Sequence, residues 1–197
     1  MKALLISTVC IATAWAYLSM EPAVVLGPGV LVTTAPHQSN ISGIKPFEFK
    51  GYTITPLANI NFSAKILSKK NYFSDKEAKL SPLDLALGWQ NMSDQAVIDQ
   101  LSISQSSRRA RWETIGGYPI PRREIETQST NMHMIPANSL VERILKKTKK
   151  GQIISIDGYL IRADAQNWHW KSSLTRKDTG GGACEVVYVN SIDILKK

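Results

Sequence analysis

Between residues 60 and 66 the chain alternates strictly: Ile60, Phe62, Ala64 and Ile66 are apolar, while Asn61, Ser63 and Lys65 are polar. A period of two belongs to an extended strand, whose successive side chains point to opposite faces. This strand therefore buries one face and wets the other. The pattern returns at Ile154, Ile156 and Leu160 and again at Val187 and Val189. Trp168 and Trp170 fall on one side of a further strand and His169 on the other. Weaker strands are read over 46–57, punctuated by Gly51 and Pro56, and at Leu101 to Ser104.

Two helices are expected between the strands. Ser81-Pro82-Leu83-Asp84 reads as a helix start, with Ser as N-cap, Pro at the first helical position and Asp at the positive end. Gly88 would close that helix, with Trp89 packing back over its last turn. Ser139 and Glu142 have the spacing of a capping box. Leu140, Val141, Ile144 and Leu145 then form an apolar stripe, Lys146, Lys147, Lys149 and Lys150 load the negative end, and Gly151 stops the helix. Asp157-Gly158 is either a tight turn or a bulge. Short strands with interspersed helices predict a β-rich α+β fold, a small mixed or Greek-key barrel. The helix running into Lys150-Gly151-Gln152-Ile153-Ile154 is OB-like.

The address is read from the N-terminus. Lys2 precedes an uncharged run over residues 3–20, ended by Glu21-Pro22. Such a run, at about 1.5 Å per residue in a helix, comes close to spanning a bilayer's hydrocarbon core. Its flanking charges place the N-terminus in the cytoplasm. Ala14-Trp15-Ala16 also offers a cleavage site that would release the chain. Both fates stay open, a transmembrane anchor or a cleaved signal helix over 1–20, and both export the chain. Residues 21–45, rich in Pro, Gly, Ser and Thr, read as a linker, and 46–197 as a single periplasmic globular domain. The formal net charge of +8 lies almost wholly beyond residue 40 and favours an anionic envelope component or partner protein.

Several residues are candidates for chemistry. Arg108, Arg109 and Arg111 beside Trp112 combine phosphate-neutralising and base-stacking side chains, but an exported chain has little occasion to meet nucleic acid, so none is expected. They remain candidates for a binding surface, as do Trp168 and Trp170, an aromatic platform for sugar or peptide or else core packing. Cys184 is the only thiol outside the N-terminal apolar segment, which excludes a disulfide and a cysteine-based zinc site in the domain. With His133 it would make a nucleophile and base, and Gly180-Gly181-Gly182 would free backbone N–H groups for an oxyanion. Met132-His133-Met134 offers thioether and imidazole ligands that suit copper(I), although on a strand both Met side chains point away from the His. No GxSxG, Walker loop, HExxH or dinucleotide fingerprint is present, so no cofactor is expected.

An exported β-barrel with His before Cys is similar to the sortase transpeptidases. That family has Thr before its Cys and an Arg on the following strand. Here Ala183 precedes Cys184 and no Arg follows it. Three longer phrases carry a second resemblance: Leu80-Ser81-Pro82-Leu83-Asp84-Leu85-Ala86-Leu87-Gly88-Trp89, Asn131-Met132-His133-Met134-Ile135-Pro136-Ala137 and Gly182-Ala183-Cys184-Glu185-Val186-Val187-Tyr188-Val189. They resemble a family of uncharacterised exported proteins of Gram-negative bacteria, over most of residues 50 to 190. The resemblance implies the envelope address and the single-domain architecture, and no activity. The expectation is thus a membrane-tethered periplasmic binding or scaffold domain. The alternatives are a Cys-His envelope enzyme and a copper-binding accessory protein.

Overall fold

The structure, a computed structural model, describes residues 22–175 and 184–196. The expected N-terminal membrane or signal helix and the Gly180 to Gly182 turn lie outside them. In chain order the elements are β1 (His37–Asn40), β2 (Phe47–Phe49), β3 (Tyr52–Asn71), β4 (Leu83–Gly88), a 3-10 turn (Gln90–Ser93) and α1 (Gln95–Ile98). There follow β5 (Leu101–Ser106), β6 (Arg109–Thr114), α2 (Arg122–Thr127), β7 (Ser129–Pro136), α3 (Ser139–Lys147), β8 (Ile153–Ala165), β9 (Trp168–Lys171) and β10 (Glu185–Lys196). The fold is β-rich α+β with a mixed sheet.

β3 is the long member, and it joins the two strands expected over 46–57 and 60–66. Lys50 and Gly51, both at positive φ (52° and 83°), turn β2 back onto it. Pro56 does not interrupt it, because the pairing with β8 shifts register between Pro56 and Ala58. A bulge is where a strand tolerates a residue without an N–H. The bulge also changes the strand's faces, so that Ile54 packs in an outer cluster while Ala58, Ile60 and Phe62 point inward. β3 pairs along its first part with β8 and along its last part with β4. The sheet continues through β7 and β10 back to β8, so these five strands form a closed hydrogen-bonded circuit. Every pairing in it is antiparallel except β7 with β10, which is parallel.

Inside the circuit lie the alternating apolar residues of all five strands, including Ile60, Leu85, Met132, Ile156 and Val187. Val141 and Leu145 of α3 join the same cluster. Two local expectations are corrected. The stretch from Ser81 is no helix: Leu83, Leu85 and Leu87 enter the core with a period of two, as strand β4, all six residues of which are buried. A strand buried on both faces is an apolar run that periodicity cannot separate from a helix. The cap of α3 is Asn138 rather than Ser139: its Oδ1 accepts the N–H of Leu140 and of Val141, each at 3.0 Å.

The stretch expected as a linker is largely docked. The Val24 N–H donates to the Lys150 carbonyl at 2.8 Å. The Ser93 hydroxyl accepts the N–H groups of Leu31 and Val32, both at 3.0 Å. Val32 is buried with Trp89 and Ile153, and β1 pairs with β3 over residues 37–40. Its Pro and Gly content shapes an extended strap, not a free tether.

Candidate functional site

On the outer face of the circuit, register sets Asp84 of β4 opposite His133 of β7, and His133 opposite Val186 of β10. Asp84 lies between two inward leucines, so alternation turns it outward, yet it is fully buried. A carboxylate in that position needs a compensating charge. It comes from the β5–β6 hairpin, whose turn residues Ser107 and Arg108 both hold positive φ (49° and 62°). From this turn the Arg108 guanidinium reaches back over the outer face of the sheet. Its Nη1 lies 2.9 Å from Asp84 Oδ1 and donates to the Ser81 carbonyl at 2.9 Å. Its Nε and Nη2 grip Asp75 in a two-pronged pair at 3.0 and 2.6 Å.

The Tyr72 ring lies 3.7 Å from the guanidinium carbon, and its hydroxyl accepts the Arg108 N–H at 3.1 Å. Burial works against the charge of Arg108. The hydrogen bond to Asp75 and the charges of Asp84 and Asp75 outweigh it and raise the pKa. Burial, followed by the Asp84 charge, raises the Tyr72 phenol. His133 Nδ1 comes within 2.9 Å of Asp84 Oδ1, but no hydrogen bond joins them, so the contact is one of proximity. The imidazole packs on Trp170, with ring centroids 4.5 Å apart.

Asn131 links this cluster to Cys184. Its Nδ2 donates to the Arg108 carbonyl at 3.2 Å and lies 3.4 Å from Asp84 Oδ2 and 4.0 Å from Cys184 Sγ. The thiol itself donates to the Arg108 carbonyl at 3.7 Å. Burial, with the Glu185 charge second, pushes its pKa up to about 11. Cys184 thus lies beside Asn131 at the start of β10, whose Val186 pairs with His133 of β7. Among the described residues, however, the thiol's hydrogen bonds run to Asn131 and the Arg108 carbonyl, and neither involves the imidazole. A raised pKa is the reverse of what a nucleophilic thiol requires.

Asn131 and Cys184 also line a cleft of about 790 Å³, together with Leu67, Ala86 and Met92. One wall is the whole of β6, Arg109 to Thr114. The other is Ser129, Thr130 and Asn131, with Tyr118, Arg122 and Glu126 at the rim. Arg109 and Arg111 are exposed here, beside the half-buried Trp112, whose ring meets Tyr118 edge-on at 6.2 Å. Arg122 is held by Glu126 at 2.9 Å.

The expected site residues therefore separate. Arg109 and Arg111 line the cleft, whereas Arg108 is a half-buried clasp held by two aspartates. Trp168 and Trp170 are half-buried against Tyr52 and His133 and pack on an outer apolar cluster. Met132 and Met134 join the inner apolar cluster, on the face opposite to His133, so the three cannot ligate one copper ion. Asp75, Asp84, Tyr72 and Asn131 were not among the expected residues. The one signal in the sequence was an aspartate inside the run Leu83 to Leu87.

Comparison of the chain with protein-family models, with curated proteins and with solved structures finds no match.

Proposed function

We propose that this chain is an exported, membrane-tethered binding domain. It holds an extended anionic ligand of the envelope in the cleft between β6 and β7, and it does so without catalysis. The single observation that carries this reading is the cleft wall itself, where exposed Arg109 and Arg111 flank Trp112 and Tyr118 rims the opening. Its volume falls within the range of about 300–1,000 Å³ usual for ligand clefts. Arginine supplies charge in a planar fork and the rings supply stacking area, a pairing suited to a flat or extended anion.

The barrel supports the same reading. In order of the circuit, β3, β4, β7, β10 and β8 follow the connectivity of an OB-like barrel, with α3 between its third and fourth strands in the chain. Such barrels bind on the face of their second and third strands, between the loops joining strands one and two and strands four and five. Here that face is β4 and β7. Asp75 comes from the first of those loops, and Trp170 and Cys184 flank or lie in the second. Against thiol catalysis stand the raised pKa of the half-buried Cys184 and its bonds to Asn131 and the Arg108 carbonyl.

The test is fluorescence anisotropy of labelled heparin fragment and labelled poly-L-glutamate, titrated with the full chain at low salt. The Arg109→Ser/Arg111→Ser variant should weaken binding about five- to thirtyfold, two lost charge contacts of about 0.5–1 kcal/mol each. A Lys146→Ser/Lys147→Ser control on α3 should not. Equal affinity for the double arginine variant and the parent would remove the cleft as the site.

A further inference from the structure

We propose that the occupant of the cleft is an acidic polypeptide that adds to β6 as an extra strand. This rests on the reading of the cleft as an anion-binding site and names the ligand class. The argument begins with hydrogen-bond parity in the β5–β6 hairpin. A two-residue turn at Ser107-Arg108 makes Ser106 and Arg109 a mutually bonded pair, and bonded and non-bonded pairs then alternate along the hairpin. Arg109, Arg111 and Glu113 therefore direct their backbone N–H and C=O groups at β5. The bond from the Ile115 N–H to the Gln100 carbonyl, 2.9 Å, continues the same parity beyond the strand.

Ala110, Trp112 and Thr114 must point theirs the other way. That other way is the cleft. Among the described residues β6 pairs with β5 alone, and all six of its residues line the cavity. Across the gap, Ser129 to Asn131 pair with β4 on one side, while the described pairing of β7 with β10 begins only at Met132. A row of unpaired strand donors and acceptors facing a concavity is a template for another strand. A glycan would meet the arginine side chains but could not repeat the spacing of that row. Charge selects the strand: Arg109 and Arg111 stand on the exposed face, with Glu113 beyond them, so the added strand carries acidic residues at the alternate positions opposite the two arginines. The residues between them are apolar and lie on the face of Ala110 and Trp112, which pack on a neighbouring apolar cluster.

The experiment uses the full chain, isotopically labelled, and a synthetic peptide of six alternating Glu-Val pairs, with heparin fragment as the second probe. Saturating peptide should slow amide hydrogen exchange at Ala110, Trp112 and Thr114 by about tenfold or more, since paired amides open only by local unfolding. Arg109, Arg111 and Glu113, already bonded to β5, should change less. A peptide N-methylated at every second residue should lose affinity in at least one of its two frames, a test that leaves the protein intact. Binding of the peptide without slowed exchange at the three amides would overturn strand addition while leaving an anion-binding cleft. Heparin binding without peptide binding would do the same and point to a glycan. Failure of both probes would overturn the cleft reading as well.

Discussion

Arg108 illustrates how one side chain holds two parts of this molecule together. Asp84 is fully buried and Asp75 is one-third exposed, and the same guanidinium serves both. Replacing Arg108 by Met leaves the Asp84 carboxylate buried without its cation, at a cost of about 3–5 kcal/mol. Lys in its place should recover little of this, because an ammonium cannot hold Asp75 with two parallel bonds and reach Asp84 as well. Urea midpoints at constant slope would measure both losses. An Arg108→Met variant as stable as the parent would refute the clasp. Cys184 belongs to the same scale. Its thiol is shifted from 9.0 to about 11, so alkylation by iodoacetamide should stay slow near neutral pH and rise only toward pH 11. His133→Ala should leave that profile in place, whereas a fall in the rate would restore the Cys-His pair. The sign for stability follows from the raised value. Between about pH 9 and 11 the unfolded thiol loses a proton that the folded thiol keeps, so stability falls as pH rises through that window. Cys184→Ala should remove this part of the decline.

At the scale of elements, the cap of α3 separates local pattern from realised structure. Asn138 accepts two backbone N–H groups. Asn138→Ala should therefore cost about 1 kcal/mol, while Ser139→Ala should stay within about 0.5 kcal/mol of the parent. The reverse order in thermal or urea denaturation would reinstate the Ser139 capping box. The other end of α3 is closed from a distance: Lys69 Nζ, on β3, donates to the carbonyls of Leu145, Lys146 and Thr148 at 2.7 to 3.1 Å. The alternation over 60–66 was legible because its rule spans only a few residues. The identity of β4 was not, since Ser81-Pro82 satisfies a helix start locally and only burial on both faces makes Leu83 to Gly88 a strand. Pro56 misled in the same way, because a bulge is a property of pairing with β8.

On the scale of the whole molecule, residues 24–40 form a strap held against the sheet. Gly151 shows how closely the strap is laid down: its φ is +90°, and a Cβ there would fall 1.7 Å from the Val24 carbonyl oxygen. Ser93→Ala would strand the Leu31 and Val32 N–H groups and should cost about 1–3 kcal/mol. It should also open residues 24–40 to limited proteolysis, to which the parent should be resistant there. A parent cleaved as readily as the variant would restore the free-linker reading.

Sequence alone determined the β-rich character and most of the strand faces, because period-two alternation is written within a few neighbouring residues. It determined the basic surface, the lone domain thiol and the split of Met132 and Met134 from His133, which follow from composition and pleat. Tertiary structure alone decided that β3 closes onto β8, that β7 runs parallel to β10, and that Arg108 meets an Asp 24 residues earlier. It also decided which arginine is a clasp and which two line the cleft. A side chain's partner across strands is chosen by register and burial, and neither is set by the residues next to it in the chain.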